Sequence, residues 1–422
     1  MKNLKLFGVM AVLCASATYM GCERNALTPT DATSGVHPNS KEGAIIPDQY
    51  IIQFHPSAIK PASQRLDGAL ITDRAEKVRL MMPLKAKVEE EINAWLAKHG
   101  IDESQVLRRY TTLTAGVALH IPAKTYLKIS QDPDVASLEY DRIEELPPFT
   151  VNNIDRGNNR AQVTPCGITN AGGAGTIATG RWIWIVDTGI DLDHPDLAVL
   201  GTAPYAINVV DGGTPDDCNG HGTHVAGTAA AVNNDIGVVG VSAGATVVPV
   251  RVFGCSGGSF TSTIVAGLDH IGLYDIPGDV VNMSLSGYYG TSGCSTGSGY
   301  LTSINNLNNS GVFLAIAAGN NASNAAWYQP ACVNGNNVFT VASMNCSYAF
   351  SGWFSNFGIP PVDWIATGEN VYSTYPGGGY ATLTGTSMAA PHVAGAVHFR
   401  NAAPAFGGSV FYGGINYPIA LR

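Results

Sequence analysis

The chain is poor in charged side chains, which make up 13% of its 422 residues. Soluble proteins average about 25% charged residues, so the composition argues against a disordered, coiled-coil or nucleic-acid-binding chain. The net charge of −9 leaves no basic surface for phosphate groups. After the first twenty residues, no apolar run is long enough to span a bilayer. Glycine is abundant, with 49 residues, in a chain long enough to bury a large core.

Zinc-site spacing is also missing, because no pair of cysteines has Cys-x-x-Cys spacing and no Cys/His cluster has the spacing of a zinc finger. Beyond the N-terminal region there are six cysteines, an even number that predicts disulfides in an exported protein. They are Cys166, Cys218, Cys255, Cys294, Cys332 and Cys346. Six cysteines allow fifteen connectivities, among which the residues alone do not choose.

The N-terminus predicts an export signal over residues 1–21, with Lys2 and Lys5 before a short apolar run. It ends in Tyr19-Met20-Gly21-Cys22, which resembles a bacterial lipoprotein signal and implies lipidation of Cys22. The alternative is ordinary cleavage that leaves Cys22 as a free thiol. Either route predicts export from a bacterium, as a secreted or envelope-associated protein. Residues 22–43 are polar and predict a flexible linker.

Two domains follow the linker. Residues 44–147 predict a small α+β domain, with strands such as Tyr50–Phe54 and a helix over 73–98. Lys128 is the last lysine, and glycine becomes frequent beyond a boundary near Pro147-Pro148. Over 148–422, apolar runs such as Trp182–Val186 alternate with helical stretches, which predicts an α/β domain with a largely parallel sheet.

Three segments carry the residue types that acyl transfer requires. Asp187 ends a buried strand, His221 opens a helix in Asn219-Gly220-His221-Gly222-Thr223-His224, and Ser387 follows Gly385-Thr386 at the start of another helix. A nucleophilic hydroxyl needs a base, and the base needs a carboxylate to fix its tautomer. The order Asp, His, Ser is that of subtilisin.

With these motifs the chain resembles a subtilisin-like serine protease, closest to the proteinase K group, from about residue 44 to 400. The resemblance implies that Asp187 orients His221, that His221 is general base and then acid, and that Ser387 is the nucleophile. It also implies that Asn320, in Ala317-Ala318-Gly319-Asn320, donates to the oxyanion. The alternative is that these residues only form turns and helix caps.

The resemblance implies a substrate cleft between two segments. An edge strand of Ser284, Leu285, Ser286 and Gly287 would bind extended substrate, and Ala317, Ala318 and Gly319 would form the opposite wall. The family has glycine where this chain has Ser286. No acidic residue stands in either segment, which favours a broad specificity with apolar P1 residues over Lys or Arg.

Residues 44–147 resemble the family's inhibitory propeptide, a ferredoxin-like domain that assists folding and whose tail fills the cleft. The resemblance implies autocatalytic cleavage between about 146 and 160. The alternative is an unrelated ferredoxin-like docking domain.

The resemblance further ranks the disulfides as Cys218–Cys255, then Cys332–Cys346, then the remaining Cys166–Cys294. It implies no cofactor for the chemistry, and a possible structural calcium ion at Asp363. After Arg400 the chain departs from the family, and a terminal strand or hairpin is expected in place of helices.

Together these features predict a monomeric, exported serine endopeptidase made as a zymogen, acting on proteins or peptides and held to a membrane only through a lipid. A narrow-specificity processing peptidase and a non-catalytic surface binding lipoprotein on a protease fold are the alternatives.

Overall fold

The computed structural model describes residues 43–66, 70–155, 161–291, 293–294 and 298–422. The predicted signal peptide, Cys22 and nearly all of the predicted linker lie outside the described residues. Within the described ranges, no helix is both long and apolar enough to cross a membrane.

The N-terminal unit, residues 43–145, is an antiparallel sheet in the order β2-β3-β1-β4 covered by two helices. Asp73 caps the long helix α1 by accepting from Glu76 N–H, and Gly100 ends it in the left-handed conformation. The helix buries Met81 and Trp95 against the sheet. The elements are β1 (Ile45–Phe54), α1 (Arg74–His99), β2 (Val106–Tyr110), β3 (Gly116–His120), α2 (Ala123–Ile129) and β4 (Val135–Glu145).

The C-terminal unit, residues 161–422, is built on a nine-stranded sheet, and a connecting segment, residues 146–155, joins it to the N-terminal unit. Its strands are β6 (Ile183–Asp187), β7 (Ile207–Asn208), β8 (Val247–Arg251), β9 (Gly258–Phe260), β10 (Val280–Met283), β11 (Gly287–Tyr288), β12 (Phe313–Ala317), β13 (Tyr328–Gln329), β14 (Val338–Met344), β15 (Val362–Thr367), β16 (Val371–Tyr375), β17 (Gly379–Thr384), β18 (Ala405–Tyr412) and β19 (Ile415–Leu421), and β5 (Thr150–Asp155) lies in the connecting segment. Its helices are α3 (Cys166–Asn170), α4 (His221–Ala230), α5 (Thr261–Tyr274), α6 (Gly299–Asn309) and α7 (Thr386–Arg400).

The strand order is β18-β19-β15-β14-β12-β10-β6-β8-β7, and the pairs from β7 to β15 are all parallel. This confirms the predicted α/β class with a largely parallel sheet. Parallel strands align their carboxyl ends along one edge of the sheet, which is where loops collect functional side chains.

Both faces of the sheet are covered, which explains the continuous apolar runs of the sequence. On β6, Ile183 and Ile185 pack with α4 and α7, whereas Trp184 and Val186 pack with α5 and α6 on the other face. α4 and α7 approach closely at Gly395, where an added Cβ would lie 2.7 Å from Ala229 O.

The chain ends in the antiparallel hairpin β18–β19, which joins the sheet edge where Ile419 pairs with Ile365. The hairpin predicted after Arg400 is therefore present. Tyr412 stacks on Phe350 at a centroid distance of 4.1 Å, which anchors the hairpin to the unit.

Three disulfides are formed: Cys166–Cys346, Cys218–Cys255 and Cys294–Cys332. The first-ranked pairing is present, but the predicted Cys332–Cys346 and Cys166–Cys294 pairings are wrong. Cys332 precedes β14 and Cys346 follows it. The seven residues of β14 span about 20 Å, so the two cysteines lie near opposite ends of the strand. A disulfide needs Cα atoms within about 7 Å, so each cysteine instead bonds to a neighbour at its own end of the strand.

Candidate active site

Asp187 and His221 form a buried pair at the carboxyl edge of the sheet. Asp187 is the last residue of β6 and His221 the first of α4. The Nδ1 atom of His221 lies 2.8 Å and 2.9 Å from the two Asp187 carboxylate oxygens. A carboxylate only accepts, so Nδ1 carries the proton and Nε2 is left as an acceptor. Nε2 has no hydrogen-bond partner among the described residues.

Asp217 fixes the start of α4, a role that the sequence reasoning missed. Its buried carboxylate accepts from the N–H groups of Gly220 and Thr223, both at 2.9 Å. It also accepts from the Thr188 hydroxyl at 2.9 Å, which ties the loop after β6 to the helix that carries His221. Burial raises the pKa of Asp217. Asp217 lies four residues before the first residue of α4, whose N-cap is Gly220, so the capping pattern of the sequence did not mark it.

Ser387 lies in the first turn of α7, directly against the end of β10. Its hydroxyl donates to Ser284 O at 3.2 Å, and the Ser284 hydroxyl donates to Ser387 O at 2.7 Å. The Ser387 proton is thus directed to the Ser284 carbonyl and not to His221. The predicted nucleophile and the predicted substrate-binding segment are therefore in contact.

Asn320 presents its amide group to the same cleft. Its Oδ1 accepts from Thr386 N–H at 2.8 Å and from the Thr386 hydroxyl at 2.7 Å. These two bonds fix the side-chain orientation, so the Nδ2 group is free to donate outward. It donates to Pro148 O at 2.8 Å. A neutral donor held in this way stabilises negative charge on a carbonyl oxygen.

Both predicted cleft walls leave the sheet at adjacent strands. The segment Ser284–Gly287 follows β10. Ala317 is the last residue of β12, which pairs with β10, and Ala318 and Gly319 follow it. All seven residues are buried. Asn356 supports the second wall, because its side chain donates to Ala318 O at 2.9 Å and accepts from Asn321 N–H at 3.0 Å. No sequence signal had marked Asn356.

The connecting segment crosses this cleft. Leu146 N–H donates to Gly257 O at 3.0 Å, which continues the pairing of β4 with β9. The Phe149 ring lies 4.9 Å from the His221 ring. Beyond it, β5 pairs antiparallel with β17. The chain's own residues 146–155 therefore occupy the site.

Carboxylates of β4 join the N-terminal unit to two helix N-termini of the C-terminal unit. Asp141 accepts from Ser262 N–H at the start of α5 at 2.9 Å, and Glu139 accepts from Gly299 N–H at the start of α6 at 2.7 Å. Acidic groups are favoured at such positions. Burial nevertheless raises the pKa of Asp141 to about 6 and the pKa of Glu139 to about 7.

Three other histidines lie near the site without serving it. His224 Nε2 lies 2.9 Å from Val371 O, and His392 Nδ1 lies 2.9 Å from Met388 O. Burial lowers the pKa of His224 to about 3 and the pKa of His392 to about 4, so both are neutral at pH 7. Burial also lowers the pKa of His194, whose Nε2 contacts Gly379 O. Each satisfies a carbonyl in the fold.

Asp363 does not have the surroundings of a calcium site. One carboxylate oxygen accepts from Thr340 N–H at 2.8 Å, and burial raises the pKa of Asp363 to about 6. Among the described residues, no group of three or more His, Cys, Asp or Glu side chains could hold a metal ion. A single carboxylate supplies few of the six to eight oxygen ligands that calcium takes in proteins.

Comparison with known proteins identifies a family for each of the two parts of the chain. The family model described as "Subtilase family" matches residues 179–406, and that described as "Peptidase inhibitor I9" matches residues 49–147. An "Extracellular serine proteinase" of a Thermus species is 35% identical over 83% of this chain and 79% of its own length. "Subtilisin Savinase" of Lederbergia lenta is 36% identical over 62% of this chain and 100% of its own.

A crystal structure of a cold-adapted subtilisin-like serine proteinase is 34% identical, covers 54% of this chain and 77% of its own, and has a TM-score of 0.44. The two family matches lie inside the predicted domains, 148–422 and 44–147. Subtilases need no cofactor for catalysis. The chain belongs to the subtilase family and is a serine endopeptidase that carries its own I9 inhibitor domain.

Proposed function

We propose that this protein is a secreted subtilisin-like endopeptidase in which Asp187, His221 and Ser387 form the catalytic triad and Asn320 is the oxyanion donor. The observation that supports this proposal is the hydrogen-bonded pair of Asp187 and His221, in which His221 Nε2 has no hydrogen-bond partner among the described residues. Ser387 loses its proton to His221 Nε2 as it attacks the substrate carbonyl, and Asp187 stabilises the resulting imidazolium. Secretion is supported by the extracellular relative, and the lipid anchor at Cys22 stays a prediction.

The N-terminal unit acts as an intramolecular inhibitor in this proposal. It is joined to the C-terminal unit through β4, β9 and two buried ion pairs, Arg74–Asp279 at 2.8 Å and Lys77–Asp275 at 2.7 Å. Its connecting segment occupies the cleft that substrate would use. The protein is therefore a zymogen, and autocatalytic cleavage of the connecting segment opens the cleft.

Apolar P1 residues are favoured by the composition of the cleft walls. The segments Ser284–Gly287 and Ala317–Gly319 hold no charged side chain, so a Lys or Arg side chain finds no carboxylate there. Peptide p-nitroanilides with Phe or Leu at P1 are expected to have higher kcat/KM than matched peptides with Lys or Arg. Casein digestion beside a peptide library would distinguish broad from narrow specificity.

The triad is tested by intact mass spectrometry of the purified protein with a fluorophosphonate probe. We expect one adduct on a species that lacks the N-terminal unit, and no adduct on the Ser387→Ala variant. An adduct of the same mass on the Ser387→Ala variant would contradict the assignment of Ser387, whereas a full-length wild-type chain without an adduct would indicate a stalled precursor or an inactive enzyme.

A further inference from the structure

We propose that the bond this chain cuts in itself is Pro148–Phe149, and that Pro148 slows that cut by leaving the Ser284 carbonyl free to hold the nucleophile's proton. The inference rests on the proposed function, because it takes Ser387 as nucleophile and Asn320 as oxyanion donor.

The electrophile is identified by the oxyanion donor. In acyl transfer, that donor contacts the oxygen of the carbonyl under attack. The only backbone carbonyl that Asn320 Nδ2 contacts in the described part of the chain is Pro148 O, at 2.8 Å. We therefore take the carbonyl carbon of Pro148 as the atom that Ser387 attacks.

The leaving group is identified by the general acid. The bond after the Pro148 carbonyl ends at the nitrogen of Phe149, whose ring lies 4.9 Å from the His221 ring. His221 must return a proton to that nitrogen when the bond breaks. The oxyanion donor Asn320 therefore contacts Pro148, and the acid–base group His221 lies beside Phe149.

Strand pairing holds the chain on both sides of this bond. Upstream, Glu145 pairs with Gly258 and Leu146 N–H donates to Gly257 O. Downstream, Thr150 pairs with Thr384, two residues before the helix α7 that carries Ser387 begins. Only residues 147–149 span the site between the two paired stretches, which limits the bonds that can reach Ser387.

Pro148 is an unusual residue for this position, because neither it nor Pro147 has a backbone N–H. Extended substrate is normally held by main-chain hydrogen bonds to an edge strand. Here Ser284 O accepts the Ser387 hydroxyl at 3.2 Å, and His221 Nε2 has no partner within the described chain. The Ser387 hydroxyl therefore donates to the Ser284 carbonyl and not to the general base. Attack requires this hydroxyl to rotate so that it donates to His221 Nε2.

The reaction balances without any added group except water. The Ser387 Oγ–H proton moves to His221 Nε2 while Oγ bonds to the Pro148 carbonyl carbon. The C–N bond to Phe149 then breaks, and His221 gives its proton to the Phe149 nitrogen. Water attacks the Pro148 ester, one of its protons returns through His221 to Ser387, and the products are a Pro148 carboxylic acid and a Phe149 amine.

The cleavage bond is tested on the full chain by time-resolved intact mass spectrometry during refolding. We expect the first products to be a fragment ending at Pro148 and a fragment beginning at Phe149, with the Ser387→Ala chain uncut. A first cut at Pro147–Pro148, at Phe149–Thr150 or further downstream would overturn the assignment.

The second arm compares Pro148→Ala and Pro148→Leu, which both restore an N–H, with Pro122→Ala. Pro122 is an exposed proline of the N-terminal unit, at the start of α2 and outside the cleft. The Pro148 variants are expected to cut the same bond roughly tenfold faster or more, the effect of about one hydrogen bond. The Pro122 variant is expected to cut at the wild-type rate. An unchanged rate in both Pro148 variants would overturn the retarding role.

Casein hydrolysis and fluorophosphonate labelling of the same samples distinguish a failure of the Pro148–Phe149 assignment from a failure of the proposed function. If both are present and the first cut lies elsewhere, the inference fails and the proposed function stands. If both are absent at every time, the proposed function fails and the inference fails with it.

Discussion

At the residue scale, the site depends on side chains whose orientation other residues fix. His221 is oriented by both oxygens of Asp187, and Asn320 is oriented by the two donors of Thr386. Because these partners are buried or bonded before substrate arrives, the donors need little reorganisation during the reaction. The effect of removing each side chain is therefore expected in kcat more than in KM.

Asn320→Ala is expected to lower kcat by roughly 10²–10³ with little change in KM, because it removes a donor that acts on the oxyanion. Steady-state kinetics on the matured enzyme measure both constants. Asn321→Ala is the matched control, because Asn321 contacts Asn356 only through its backbone N–H. Equal losses in the two variants, or a loss confined to KM, would contradict the role of Asn320.

Arg74 and Arg79 lie on the same helix but differ in burial. Arg74 pairs with Asp279 with side-chain exposures of 10% and 0%, whereas Arg79 pairs with Glu76 in solvent. Arg74→Ala leaves Asp279 buried with less compensation and is expected to lower the free energy of unfolding of the joined chain by about 3–5 kcal/mol. Arg79→Ala is expected to leave it unchanged. Urea unfolding in the Ser387→Ala background measures both, and similar effects would refute the distinction.

At the element scale, strand ends and helix starts place the chemistry. Asp187 ends β6, the two cleft walls follow β10 and close β12, and His221 and Ser387 open α4 and α7. The parallel sheet brings these ends together, since its strands all finish at one edge. Two disulfides, Cys218–Cys255 and Cys294–Cys332, restrain the segments that connect these elements.

Two disulfides close loops of nearly equal length, with sequence separations of 37 for Cys218–Cys255 and 38 for Cys294–Cys332. Replacing either pair by serine is expected to lower stability by a similar amount, about 2–4 kcal/mol. Only the first loss is expected to lower kcat as well, because Cys218 lies three residues before His221. Denaturant unfolding measures the stability loss of each double variant, and steady-state kinetics measure its kcat. A larger kcat loss in the Cys294/Cys332 variant would contradict it.

At the scale of the whole molecule, the interface between the two units buries carboxylates of β4. Burial raises the pKa of Glu139 to about 7, of Asp141 to about 6 and of Glu144 to about 7. A carboxyl whose pKa is raised binds its proton more tightly in the joined chain than in solvent, where its pKa is about 4. The contribution to association is therefore complete below about pH 4 and is lost as the pH rises through about 6 to 7.

The N-terminal unit of the Ser387→Ala chain is accordingly expected to unfold at a lower temperature at about pH 8 than at about pH 5. Glu139→Gln keeps an acceptor for Gly299 N–H but does not titrate, so it should reduce this difference. Glu103→Gln, at an exposed position of the same unit, should leave the difference unchanged. Calorimetry at both values provides the measurement, and a higher unfolding temperature at about pH 8 would reverse the sign and refute the argument.

Much of the site was predictable because its residues stand in local patterns. Asp187 after an apolar run, His221 at a helix start and Ser387 after Gly385 are each encoded within about ten residues of sequence. The period of the apolar runs likewise predicted the parallel sheet, since strands buried on both faces need no polar alternation. The predicted roles of these residues remain to be tested by the variants above.

Tertiary structure decided what no local pattern encodes. The disulfide partners of Cys166 and Cys294 depend on which end of β14 each approaches, and that is a property of the assembled sheet. The support that Asp217 and Asn356 give to the site depends on loops that meet only in the fold. The sequence by itself determined the family and its two units and predicted the reacting groups, because short-range spacing carries them. Only the fold decided that Pro148 faces Asn320, because strand pairing on both sides of residues 147–149 sets which carbonyl reaches the cleft.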